Sequence, residues 1–116
     1  MVGGVWAFSP VAARVEDGEI RIERELAPDA VIPLADVRSV EPLAREYACR
    51  LWRVAGTSIP GGVRYGHFRS RELGDVQLYA WRDDRYVLLE TDGARVVLTP
   101  DDADAFVAAV RAEQRR

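Results

Sequence analysis

Eight consecutive residues hold the densest chemistry in this chain. Arg64-Tyr65-Gly66-His67-Phe68-Arg69-Ser70-Arg71 carries three arginines and the only histidine. Guanidinium forks grip carboxylate or phosphate through paired N–H donors, and the amides of a nearby glycine-rich backbone can join them. Gly56, Gly61, Gly62 and Gly66 supply such a stretch, which makes Arg64, His67, Arg69 and Arg71 the candidate ligand-binding residues. The plainer reading is a solvated strand face whose arginines pair with the surplus acids. Nucleotide binding of the familiar kinds is excluded: no Gly-Lys-Ser/Thr ends the glycine stretch, and no Gly-x-Gly-x-x-Gly occurs.

Catalysis finds little footing. His67 has a side chain of the type that titrates near neutrality, but no serine or carboxylate follows it in a nucleophilic order. Cys49 would serve as a nucleophile only if folding brought His67 beside it; otherwise it is expected as a small buried hydrophobe. Asp101, Asp102 and Asp104 lack the alternating oxygen ligands and glycine of a calcium loop, and helix capping accounts for two of them. No catalytic residue, cofactor or metal ligand is therefore expected.

Composition narrows the classes further. The chain has 116 residues and a net charge of −3, which weighs against nucleic acid, whose binding needs a basic field. All 16 basic residues are arginine, so no amine can form a Schiff base. A lone cysteine rules out an intrachain disulfide and suits a reducing, cytoplasmic setting. The N-terminus lacks a basic region followed by a long apolar run, and no stretch reaches the length of a membrane span. One domain over residues 1–116 is expected.

The elements that must position these residues show mostly a period of two. Val5 to Val15 reads as a strand broken near Ser9-Pro10, and Asp17-Gly18 as a hairpin turn into the alternating Glu19-Ile20-Arg21-Ile22-Glu23. Ala27-Pro28-Asp29 reads as a turn. Pro33 marks a sheet edge or strand end, because it cannot donate to a ladder. Residues 35–40 read as a short strand or helical turn, and residues 43–49 fit strand or helix. Residues 55–66, with four glycines and a proline, read as a loop or strongly bent edge. Strands at 76–81, 86–91 and 95–98, with turns at Arg82-Asp83-Asp84 and Asp92-Gly93, read as an antiparallel meander. Trp52, Tyr79, Trp81 and Tyr86 are expected in the core or in cross-strand pairs.

The period then changes. Thr99 is placed as helix N-cap, with Pro100 at the first helical position and Asp102 three residues after the cap. Ala103, Phe106, Val107, Val110 and Gln114 share one face, which needs a sheet to cover.

Several of these residues match a known pattern. Arg-Leu-Trp-Arg-Val-Ala-Gly-Thr-Ser-Ile-Pro-Gly from Arg50, then Gly66-His67-Phe68, Thr91-Asp92-Gly93 and the Pro100-Asp101 helix start, resemble the bacterial PH-domain (pleckstrin-homology-like) family. The resemblance is specific over residues 50–110 and vague before them. It implies a mainly β fold: a partly open barrel of about seven antiparallel strands capped by a C-terminal amphipathic helix. It implies little chemistry. Phosphoinositide-binding relatives use a basic first hairpin, whereas here Glu16-Asp17-Gly18-Glu19 is acidic. The expected function is a non-catalytic binding or scaffolding domain with a protein partner or a second copy of itself. A strand edge near Pro33 or after Pro60 would recruit it. The alternative is an anionic ligand or membrane surface, a phospholipid headgroup included, held by the Arg64–Arg71 segment.

Overall fold

The computed structural model describes residues 6–7, 13–24, 27–59, 63–81 and 84–115. Ten strands and two α-helices form among them. β1 (Trp6–Ala7), β2 (Ala13–Glu16), β3 (Glu19–Arg24) and β4 (Ala27–Pro33) make a four-stranded antiparallel sheet in chain order. A 3-10 turn (Leu34–Asp36) leads to β5 (Val37–Leu43) and α1 (Arg45–Cys49). β6 (Trp52–Ile59), β7 (Val63–Ser70), β8 (Gly74–Ala80), β9 (Tyr86–Thr91) and β10 (Arg95–Leu98) join β5 in a second sheet, ordered β5-β9-β10-β8-β7-β6. α2 (Ala103–Gln114) ends the chain's regular structure. The mostly β architecture with a C-terminal helix agrees with the PH-like expectation, although the strands are ten rather than about seven and lie in two sheets.

The first hairpin turns where the sequence places it. Asp17 and Gly18 both have positive φ, 50° and 75°, the conformation such a two-residue turn requires. Ile20 and Ile22 are fully buried, while Arg21 between them is only partly so. Ala27-Pro28-Asp29 is not a turn but the start of β4, and β5 runs on through Pro42 to Leu43. Both strands hold prolines because both lie at sheet edges, where a missing N–H goes unneeded.

The six-stranded sheet buries both faces. Val87, Leu89, Val96 and Leu98 join Ile20, Ile22, Val40 and the α2 residues Phe106, Val107 and Val110 in one core. Phe68, Val76, Leu78, Tyr86 and Val97, on the other face, pack beneath Ala48 and Leu51 around α1 in a second core. Successive residues of one strand thus serve opposite cores, as the pleat dictates. α2 covers its sheet with the predicted face, and Gln114 Nε2 donates to the Val37 carbonyl at 3.0 Å.

The C-terminal strands are not a simple meander. β10 pairs antiparallel with β9 and parallel with β8, so it lies between them. The link from β8 to β9 must therefore step over one strand, about 10 Å at the usual spacing, which a five-residue link can reach. Thr99, directly after β10, holds that crossing: its buried Oγ1 accepts from the Trp81 backbone N–H at 3.0 Å. Thr99 is consequently not the helix cap. Asp102 is, with its side chain accepting from Ala105 N–H at 3.0 Å, and α2 begins at Ala103.

Candidate functional site

Of residues 55–66, the described ones take the edge alternative rather than the loop: Ala55 to Ile59 lie in β6 and Val63 to Gly66 in β7, while residues 60–62 lie outside the described residues. β6 pairs with β7 from Trp52↔Arg69 to Ile59↔Val63, with one bulge between Arg53 and Ala55. Period-two alternation then divides the arginine-rich segment between two faces. Arg64 shares its face with Phe68, and its Nη2 donates to the Tyr86 hydroxyl at 3.1 Å. The guanidinium carbon stands 5.7 Å from the Phe68 ring centroid, a cation–π distance. Arg64 thus roofs the second core.

His67 and Arg69 point the other way. Arg69 Nε donates to Asp75 Oδ1 at 2.6 Å, and His67 Nε2 lies 3.1 Å from the same oxygen. The hydrogen bond from Arg69 and then that from His67 hold the Asp75 carboxyl below its ordinary 3.8. A shallow open hollow of about 260 Å³ adjoins them, lined by His67, Asp75, Val76, Gln77, Gly93 and Ala94. Arg71 is exposed in the turn after β7. Of the four predicted site residues, the fold joins His67 to Arg69 through Asp75, turns Arg64 to the opposite face, and leaves Arg71 apart from them.

Cys49 is exposed at the end of α1, not buried. It belongs to the helix over the Phe68 face, opposite His67, so the two do not form a nucleophile–base pair. Asp102 alone of the aspartate cluster caps the helix, and Asp104 Oδ2 lies 3.7 Å from Arg85. No group of three or more His, Cys, Asp or Glu side chains that could hold a metal forms among the described residues. No described helix is long and apolar enough to cross a membrane.

The feature the sequence reading missed is the outer edge of β6. β6 is the last strand of its sheet and pairs with β7 alone. Every residue from Trp52 to Gly56 is exposed. Trp52 is 49% exposed and Val54 44%, unlike Tyr86, which is buried, and Tyr79 and Trp81, which pack on the first core. The strict opposition of Leu51 and Trp52 was the available signal: one of two large residues in a strand start must face out. The edge lies before Pro60; β7, after it, is paired on both sides.

Of the other edge strands, β1 is described over Trp6–Ala7 alone, and β4 and β5 are guarded. β4 holds Pro28 and Pro33. β5 holds Pro42 and has carbonyls taken by α2: Arg111 Nη2 donates to Val40 at 2.9 Å, and Gln114 to Val37. β6 has eight residues and no proline, and its bulge at Val54 and the charge of Arg53 are its only such devices.

The mostly β architecture with a covering C-terminal helix is consistent with a pleckstrin-homology-like fold. The family model described as Bacterial PH domain matches residues 11–114, and the chain belongs to that family. No curated protein and no solved structure matches it.

Proposed function

We propose that this chain is a non-catalytic binding module that takes up an extended protein segment along β6, with Trp52 and Val54 as its apolar anchors. The carrying observation is the contrast among the described edges: β6 runs eight residues without proline and exposes Trp52 and Val54, whereas β4, which exposes Val31, is interrupted by Pro28 and Pro33. Backbone N–H and C=O groups on such an edge supply affinity, and the side chains beside them supply selectivity. The partner is another protein or a second copy of this chain. A cytosolic setting, where a single exposed thiol such as that of Cys49 stays reduced, supports this reading.

The alternative, a phosphate or lipid headgroup held by Arg64, His67, Arg69 and Arg71, draws less support. The Arg64 guanidinium is committed to Tyr86, and Arg69 and His67 share the Asp75 carboxylate.

A photo-crosslinking residue at position 54 in cells expressing the chain tests the edge reading. Protein adducts are expected there and not at Glu41 on the guarded β5 edge. Absence of adducts at position 54, together with a solution mass that stays monomeric over a concentration series, overturns it.

A further inference from the structure

The β6 edge has a charge as well as a shape. Arg50, Arg53, Arg69 and Arg71 are all exposed around it. Trp52 is paired with Arg69; Arg50 is the C-cap of α1 just before β6, and Arg71 is the first turn residue after β7. Two carboxylates answer these four cations. Arg50 Nη1 meets Glu72 at 2.7 Å, and Arg69 meets Asp75. Arg53 and Arg71 make no ion pair among the described residues. A surplus of positive charge therefore flanks Trp52 and Val54 on a protein whose net charge is −3. Three consecutive positions of the open edge, Trp52, Arg53 and Val54, present apolar, cationic and apolar groups.

We infer that the segment received by β6 is acidic: an extended stretch of another protein in which apolar residues are interspersed with aspartate or glutamate. This rests on the edge-binding reading above. Arginine prefers carboxylates in a planar, two-point arrangement, and Arg53 and Arg71 hold that capacity unspent. A second copy is the weaker occupant. Two-fold pairing of β6 with itself would bring two arginine-flanked edges together, and like charges across strands repel. A basic or neutral segment would leave both guanidinium groups without a counter-charge.

The test is selection from a displayed library of random dodecapeptides on the folded chain and on two variants. One variant is the double reversal Arg53→Glu and Arg71→Glu, which alters two exposed side chains outside every ion pair described. The other is Trp52→Ala. The unaltered chain is expected to enrich peptides with aspartate or glutamate beside apolar residues, and the double reversal to enrich lysine and arginine instead. Trp52→Ala is expected to abolish enrichment. Each exposed pair contributes a factor of about five at most, so the acidic preference should shrink as salt screens it. Trp52-dependent enrichment without acidic bias overturns the inference and leaves the edge reading standing, as does self-association through β6 with no peptide enriched. No enrichment, a constant monomeric mass and no adduct at position 54 overturn both.

Discussion

Gly56 of β6 and Gly66 of β7 stand directly opposite each other, both with positive φ, 130° and 123°. A Cβ on Gly56 would sit 2.8 Å from the Gly66 Cα and closer still to the Tyr65 carbonyl oxygen; a Cβ on Gly66 meets the equivalent atoms of Ala55 and Gly56. The two strands approach at this point as only glycines permit, and the hairpin that carries the free edge depends on the pair. Gly56→Ala and Gly66→Ala are each expected to lower stability by more than about 1–2 kcal/mol, since backbone conformation and space both oppose a side chain. Gly93→Ala, at a position with open space and no positive φ, should stay within about 0.5 kcal/mol. Urea unfolding of the three variants checks the contrast.

That pair shows where sequence reading reaches its limit. Glycines at this density signal irregular backbone, and the signal is sound for conformation: both have unusual φ. It does not distinguish a loop from two strands crossing closely, because the distinction lies in a partner strand ten residues away. The β-rich class, the Asp17-Gly18 turn and the buried face of α2 were legible because they depend on local alternation and spacing. Strand order was not. Alternation identifies β8, β9 and β10 without saying that the third inserts between the first two. The arginine segment was legible as chemistry but not as a site, since a period of two sends Arg64 and His67 to opposite faces. Cys49 was misread because a five-residue helix exposes most of its surface, whatever its neighbours' polarity.

The helix start gives a test in which two neighbouring polar residues have different tasks. Asp102→Ala removes the acceptor for the Ala105 N–H and should cost about 0.5–2 kcal/mol. Thr99→Val keeps the shape but strips the partly buried Trp81 N–H of its oxygen, with an expected cost of about 1 kcal/mol or more. Had Thr99 been the cap, its replacement would fray α2. Instead, hydrogen exchange should quicken at Trp81 in Thr99→Val and in the first turn of α2 in Asp102→Ala.

The carboxyl of Asp75 predicts a pH dependence with a definite sign. Its pKa is lowered in the folded chain by Arg69 and His67, so its ionised form stabilises the fold above the ordinary carboxylate range. That contribution disappears as pH falls through the lowered folded value. Asp75→Asn should therefore be less stable than the unaltered chain at neutral pH, and the gap should close as pH falls below the ordinary carboxylate range and through the lowered folded value. Because the ion pair is solvent-exposed, the gap should be small and should narrow in high salt. Denaturation midpoints of the two proteins across a pH series, at low and high salt, measure it. A gap that widens on acidification contradicts the assignment.

Arg64 and Arg71 lie seven residues apart at the two ends of the arginine-rich segment, and the fold assigns them different kinds of work. Arg64 is partly buried, with a guanidinium that donates to Tyr86 and lies over Phe68. Its stem also covers apolar surface that would otherwise meet water. Arg64→Ala should thus destabilise the chain by about 1–2 kcal/mol, combining a hydrogen bond to a charged group with a cation–π contact. Arg71 is exposed in a turn, and Arg71→Ala should shift stability by no more than about 0.5 kcal/mol. A shared anion site would predict another pattern: both replacements would weaken phosphate binding, and added phosphate would raise the thermal midpoint of the unaltered chain. With Arg64 on the Phe68 face and Arg71 in the turn beyond β7, phosphate at matched ionic strength should leave the midpoint unchanged. Only Arg64→Ala should lower it, because that side chain's partners belong to the core itself.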